Sequence, residues 1–89
     1  MENWIRPVDV ISFCSAKGEL KPLRLRVEEN EQKIRIDVRD VVSVKEIPYT
    51  GAEAKIFLCR ATVYGREFMI ELKYSVRSHS WTLLGKVYG

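Results

Sequence analysis

The chain has 89 residues, of which 46% are hydrophobic and 30% are charged. This length allows one compact core and is too short for two ordinary domains, so we expect a single domain over residues 1–89. The composition is typical of a globular protein and excludes a disordered or fibrous one. The net charge of +3 is too small by itself to indicate a nucleic-acid-binding protein, so local charge patterns must decide.

The N-terminal stretch "MENWIRPVDV" lacks the basic start and the apolar run of a secretory signal. No apolar run approaches the roughly 20 residues that a membrane-spanning helix needs. Two isolated cysteines, Cys14 and Cys59, show no metal or disulfide spacing, and we expect both to be reduced core residues. The sequence therefore predicts a cytoplasmic protein without a membrane partner.

The first predicted strand, "VDVISFC", is apolar on both faces. Such a strand is either covered on two sides or lies where a sheet curls over on itself. Trp4 precedes this strand, and we expect it to pack over an open end of a barrel; the alternative is an exposed, functional Trp4.

The segment "LRLRVEENEQKIRIDV", residues 23–38, alternates apolar and charged side chains on both sides of a polar centre. This pattern predicts a hairpin of two half-buried strands, with Leu23, Leu25, Val27, Ile34, Ile36 and Val38 facing inward. Both inward sets must face one core, which fixes the register. That register pairs Val27 with Ile34, Leu25 with Ile36, Glu28 with Lys33, Arg24 with Asp37 and Arg26 with Arg35.

The Arg26–Arg35 pair is unusual because like charges directly opposite each other destabilise a sheet. Adjacent guanidinium groups are suited to bind a phosphate or carboxylate. The alternative is that the arginines extend into solvent or reach Asp37, Glu28 or an acid on the next strand. The candidate anion or nucleic-acid site comprises the outward basic residues Arg24, Arg26, Lys33, Arg35 and Arg39.

The central stretches "VVSVKEI" and "IFLCRATVY" are again apolar on both faces, whereas "FMIELKY" alternates. Gly65 and Arg66 fit a type II′ turn, which places Val63 opposite Phe68 and Arg60 opposite Glu71 as a salt bridge. A possible apolar interface lies on the face opposite Phe57. Its members are Ile56, Leu58, Tyr64 and Met69.

The last predicted strand, "SWTLLGKV", contributes Trp81, which we expect to close the core, and Gly85, which indicates a bulge or bend. The turn signals divide the chain into six or seven strands, and no segment has helical periodicity. The sequence predicts an all-β fold, either a small partly open barrel or a roll of mostly antiparallel strands joined by hairpins.

Groups for catalysis are few. His79 is the single histidine and lies in the polar turn "RSHS", where we expect it to be solvated. No nucleophile motif, phosphate-binding glycine loop or familiar set of metal ligands is present. We therefore expect a protein that is not an enzyme and has neither a metal nor a cofactor.

The motifs "RPVDVISF", "KGELKPLRLRV", "VVSVKEI" and "SWTLLGKV" together resemble a group of short bacterial all-β proteins of unknown function. Members of that group are often encoded beside repair-type DNA polymerases, so the resemblance implies a role near DNA. The sequence predicts a noncatalytic binding module for nucleic acid or another anionic partner. The alternative is a protein-interaction or homodimerisation module that uses the apolar face.

Overall fold

The computed structural model of the protein describes residues 5–87. Within this range the chain forms six strands and no helix, which confirms the prediction of an all-β fold. The strands are β1 (Arg6–Cys14), β2 (Leu20–Glu29), β3 (Gln32–Ile47), β4 (Ala54–Val63), β5 (Arg66–Ser75) and β6 (Ser80–Val87).

Each strand pairs antiparallel with the next one in the chain, and β6 returns to pair with β1. The sheet is therefore a closed six-stranded barrel, which confirms the predicted small barrel of hairpins. Closure depends on a short seam in which Arg6 pairs with Leu83 and Val8 pairs with Trp81. The turns after β1, β3 and β5 lie at one end of the barrel, and those after β2 and β4 lie at the other.

The register of the β2–β3 hairpin agrees with the sequence prediction at every predicted pair. Val27 lies opposite Ile34, and Arg26 lies opposite Arg35. Val27 and Ile36 are buried and Ile34 is half-buried, as expected for inward positions. The alternation of apolar and charged residues was sufficient to predict the register, because a shift of one residue would turn the apolar side chains to solvent.

Leu23 does not face the core, so that part of the prediction is wrong. Ile11 pairs with Arg24 and Ser12 with Pro22, which makes Leu23 an extra residue in β2. The inward position goes to the buried Pro22, and Leu23 is 42% exposed. A bulge inserts one residue into one strand and so changes which residues face inward.

The β4–β5 turn also differs from the prediction. Tyr64 and Gly65 both have positive φ, of 50° and 76°, as the central residues of a type I′ turn require. Val63 therefore pairs with Arg66, and Arg60 pairs with Met69 instead of Glu71. The sequence was misleading because tyrosine rarely adopts positive φ, so Gly65-Arg66 was the more favourable choice.

Trp81 is only 8% exposed and belongs to the core, as predicted. Its ring centroid lies 5.4 Å from that of Phe57 and 5.0 Å from that of Tyr74. The predicted irregularity at Gly85 is confirmed, because Glu71 pairs with Gly85 whereas Leu72 pairs with Leu83.

The strands that are apolar on both faces are curled into the barrel and are not covered on two sides. On the outside, Ile11, Phe13 and Val42 are exposed. Cys59 is fully buried as expected, but Cys14 is exposed at the end of β1, so its assignment to the core is wrong. The expectation for Trp4 lies outside the described residues.

Candidate functional site

The outer face of β1, β2 and β3 carries two rows of side chains that cross the strands. One row consists of Asp9, Arg26 and Arg35, and the next consists of Ile11, Arg24 and Asp37. Directly opposed residues on antiparallel strands project to the same side of a sheet. The six side chains therefore share the outside of the barrel.

Three ion pairs lie on this face: one within each row and one, between Arg35 and Asp37, that connects the two rows. Arg26 Nη2 lies 3.0 Å from Asp9 Oδ2 on the neighbouring strand. The Oδ1 atom of Asp37 accepts hydrogen bonds from Arg24 Nε at 3.1 Å and from Arg35 Nε at 3.0 Å. The alternative in which the arginines reach nearby acids is thus observed, and these carboxylates offset the repulsion between Arg26 and Arg35.

Asp37 is the centre of this charge network. The hydrogen bond from Arg35 holds the pKa of the Asp37 carboxyl below its usual value, although desolvation acts in the opposite direction. The positive charge of Arg35 and the hydrogen bond from Arg24 lower this pKa further. Asp37 is therefore an anion at neutral pH, which keeps Arg24 and Arg35 in place.

A shallow groove of about 360 Å³ runs along this face. Its lining includes four of the predicted site residues: Arg24, Arg26, Lys33 and Arg35. Arg39 is exposed but is not among the lining residues, because it is the extra residue between the Val38 and Asp40 pairs with β4. The basic groups that line the groove outnumber its one acidic lining residue, Asp9.

Two exposed apolar residues, Ile11 and Phe13, lie on the same outer face of β1 as Asp9. They are 58% and 54% exposed, and they lie opposite Arg24 and Lys21 respectively. Phe13 was not predicted as a site residue, because the sequence predicted a β1 that is covered on both faces or lies where the sheet curls, and did not show that β1 lies beside β2. The signal was available in the two-residue spacing of Asp9, Ile11 and Phe13.

Arg60 forms a cross-strand salt bridge, but with a partner other than the predicted one. Arg60 Nη1 lies 3.0 Å from Asp40 Oδ2 on β3, and Arg60 Nε lies 3.8 Å from Glu67 Oε1. The shifted β4–β5 register moves Glu71 opposite Leu58. Arg60 is therefore neutralised between β3 and β4, and it does not line the groove.

The four residues of the possible apolar interface do not form a continuous patch. Ile56 pairs with Lys45 on one side and Lys73 on the other, and Leu58 pairs with Ser43 and Glu71. Met69 lies opposite Arg60. Tyr64 is 80% exposed in the β4–β5 turn, at the end of the strands. Charged neighbours thus interrupt this face, which gives the protein-interaction alternative a weaker basis.

The remaining candidate chemical groups are separated from one another. His79 lies in an exposed turn, where its Nδ1 is 2.9 Å from the Tyr74 hydroxyl. Burial raises the pKa of the Cys59 thiol to about 12, and the charge of Asp40 acts in the same direction. Across residues 5–87, no group of three or more His, Cys, Asp or Glu side chains could hold a metal ion.

Comparison with protein-family models, with curated proteins and with solved structures finds no match. In the described part of the chain, no helix is long and apolar enough to cross a membrane. Inferences about function therefore rest on the geometry and charge of the outer face.

Proposed function

We propose that the protein is a noncatalytic module that binds single-stranded nucleic acid on the outer face of β1, β2 and β3. The observation that carries this proposal is that Arg24, Arg26 and Arg35, each held by an ion pair, share the outer face with the exposed ring of Phe13. Basic side chains that follow the backbone, combined with an aromatic platform for bases, are the usual components of such sites.

The ion pairs prepare the arginines for an anionic ligand. Within the described residues, they engage a single nitrogen of each guanidinium: Nε of Arg24, Nε of Arg35 and Nη2 of Arg26. The other nitrogens remain available to donate to a phosphate. Because the side chains are already ordered, less conformational entropy is lost when the ligand binds.

The exposed apolar residues of this face favour a nucleic acid as the ligand over a small inorganic anion. Phe13 and Ile11 are exposed at the edge of the charged rows, where bases could stack while phosphates contact the arginines. A face of this kind binds through stacking and charge, so we expect little sequence preference. The sequence resembles proteins that are often encoded beside repair-type DNA polymerases, and a role near DNA in a bacterial cytoplasm would supply this ligand.

The first test is a salt titration of binding to a fluorescent oligothymidylate, followed by anisotropy. We expect affinity to fall steeply with salt, and the double variant Arg26→Glu, Arg35→Glu to lose at least about tenfold in affinity. The matched control is Lys45→Glu, Lys73→Glu, which makes the same change in net charge at two lysines on either side of Ile56, outside the groove. Equal losses in both variants would show a response to net charge alone and would contradict the proposal.

The second test separates stacking from charge. Phe13→Ala should weaken binding by about 1–3 kcal/mol without altering the slope of the salt dependence. Tyr49→Ala is the control, because Tyr49 is an exposed aromatic residue in the connection between β3 and β4 and does not lie on the strands of this face. Unchanged affinity in Phe13→Ala would remove the aromatic platform from the proposal.

A further inference from the structure

The second half of β3 has a strand partner on only one of its two edges. The β2–β3 ladder ends at the pair Arg24–Asp37, and residues 38–47 of β3 pair only with β4 among the six described strands. The ladder ends beside Leu23, at the bulge that bends β2. We call residues 38–47 the β3 edge. An unpaired edge presents backbone N–H and C=O groups that can pair with a further strand.

Exposed apolar side chains lie along the β3 edge. Val42 and Val44 are both exposed, although Val44 lies opposite the buried Phe57 of β4. Directly opposed residues project to the same side of a sheet, so Val44 lies on the core side of β3 and is still open to solvent. The described chain begins at Ile5 and ends at Val87, and both residues lie at the other end of the barrel, with the β2–β3 and β4–β5 turns.

The sequence of the β3 edge, "VRDVVSVKEI", is complementary to itself when it is read in the opposite direction. Two copies that pair antiparallel about a two-fold axis bring together Val42–Ser43, Val41–Val44, Asp40–Lys45, Arg39–Glu46 and Val38–Ile47. Every charged residue then lies opposite a residue of the other sign, as a two-fold interface requires. A shift of one residue sets Arg39 against Lys45 or Asp40 against Glu46, and like charges directly opposite destabilise a sheet.

The valines of this register project to the same side of the sheet. Val41 and Val44 lie opposite Cys59 and Phe57, which are both buried in the core. Pairing of two copies therefore places Val41 of each copy beside the exposed Val44 of the other. Both valines continue the core side of the sheet, and the contact removes apolar surface from water.

The charged pairs of this register also match. Asp40 and Lys45 each lie one residue from a core-facing valine, so both project to the outer side. Asp40 already binds Arg60 at 3.0 Å, and in the pair it lies between Arg60 and Lys45 of the second copy. Within the described residues, Arg39, Lys45 and Glu46 have no ion-pair partner. Dimerisation supplies one to each of them.

We propose that the protein forms a two-fold homodimer in which the β3 edges of two copies pair antiparallel and join both barrels in one sheet. The self-complementary sequence favours a second copy over an unrelated strand. Bulges at Arg39 and Val42 twist the edge, so we expect a short ladder and a dissociation constant on the order of 10–100 μM. The nucleic-acid groove uses the first half of β3, so this proposal goes beyond the proposed function.

The first test is sedimentation velocity over a concentration series, in which the parent should shift from monomer to dimer. The acidic variant Arg39→Glu, Lys45→Glu and the basic variant Asp40→Lys, Glu46→Lys place like charges opposite each other. Each variant alone should raise the dissociation constant at least about tenfold. An equal mixture restores every pair of opposite charges and should form a heterodimer. Circular dichroism reports that both variants fold.

Two matched controls separate the β3 edge from general effects of charge and apolar surface. Lys17→Glu, Arg77→Glu repeats the charge change of the acidic variant in the exposed turns after β1 and β5, and it should not alter dimerisation. Val44→Lys should abolish the dimer, because lysine on a strand edge opposes pairing. Val76→Lys, at an exposed valine in the β5–β6 turn, should not.

NMR of a mixture of two differently labelled samples tests the register. Isotope-filtered NOEs should connect the methyl groups of Val41 in one copy with those of Val44 in the other. A dimer whose intermolecular NOEs come only from residues outside the β3 edge would overturn the proposal.

Three further results would each overturn it. The first is a parent that stays monomeric up to about 1 mM, which would leave the β3 edge to another protein or to another segment of the same chain. The second is equal weakening by the acidic variant and its turn control. The third is a failure of the two folded variants to associate when mixed.

This proposal and the proposed function fail separately. The variant Arg26→Glu, Arg35→Glu should dimerise as the parent does, because neither residue belongs to the β3 edge. Oligothymidylate binding is compared at protein concentrations where the parent is monomeric, so the effect of Lys45→Glu on dimerisation does not enter that control.

Discussion

The two ends of the barrel are built from the same six strands but are filled differently. At one end the Trp81 ring packs against two others, with its centroid 5.4 Å from that of Phe57 and 5.0 Å from that of Tyr74, and the Tyr74 hydroxyl contacts His79. At the other end smaller side chains surround an open cavity. Large rings close the narrow interior of a six-stranded barrel, whereas Val and Ile leave space. We therefore expect the aromatic end to contribute more to stability than the mouth, the end of the barrel at which the described residues surround the cavity.

Thiol labelling gives the largest expected contrast and shows how far the mouth penetrates the barrel. At pH 8 an exposed Cys14 should react with a maleimide or aromatic disulfide at once. Cys59 should react at least about a thousandfold more slowly, because it is buried and a pKa of about 12 leaves few thiolates. Rapid labelling of Cys59 in the native protein would mean that the mouth reaches the middle of the core. A denatured sample is the control, because both cysteines should then react at similar rates.

Truncating one aromatic residue at each end tests the difference in stability directly. Phe57→Ala should lower the free energy of unfolding by about 3–5 kcal/mol, because Phe57 is only 1% exposed and contacts Trp81. Phe68→Ala, at the half-buried wall of the mouth, should cost only about 1–2 kcal/mol. Urea unfolding of both variants measures the two values, and equal losses would contradict the comparison.

The turn at the mouth end offers a stabilising change. Tyr64→Asn should raise the free energy of unfolding by about 0.5–1 kcal/mol, because asparagine tolerates the positive φ of 50° at this position better than tyrosine does. Tyr49→Asn is the control, since Tyr49 is also exposed but is not among the positive-φ residues. A loss of stability in Tyr64→Asn would show that the ring makes contacts at the mouth that outweigh the strain.

The smallest expected effect concerns Asp37, which lies between the two ends. The Asp37 pKa is lower in the folded protein than its usual value of 3.8, so its charge stabilises the fold above that pH. That contribution is lost as the pH falls through the lower folded value. Asp37→Asn should therefore be less stable at pH 7, and its urea midpoint should converge with that of the parent as the pH falls below the folded pKa of Asp37. A constant difference across this range would contradict the assignment.

Much of the fold could be predicted from the sequence because the core imposes one face on each strand. The β2–β3 register and the inward position of Trp81 both follow from that constraint. The predictions for Leu23 and for the β4–β5 turn were wrong for local reasons. A bulge leaves Leu23 unpaired, and a type I′ turn holds Tyr64 at positive φ. Neither the bulge nor the turn type changes the alternation of apolar and polar residues in the sequence, so neither could be predicted from it.

Only part of the candidate site could be predicted from the sequence. The basic residues of the hairpin could be placed because they lie on neighbouring strands joined by a short turn. Asp9 and Phe13 could not be assigned to them, because which strand lies beside β2 depends on the tertiary order. The mouth could not be predicted from the sequence either, because its lining residues come from the ends of several strands that are distant in the sequence.

The short seam between β1 and β6 has a consequence for the order in which the barrel assembles. Its pairs join residues from opposite ends of the chain, whereas every other ladder joins neighbouring strands. Closing so long a loop has a large entropic cost, and this cost falls once the intervening hairpins have formed. The seam should therefore be the last contact made during folding. By the same reasoning, the amides of Val8 and Leu83 should exchange with solvent through partial opening, well before the β4–β5 hairpin separates.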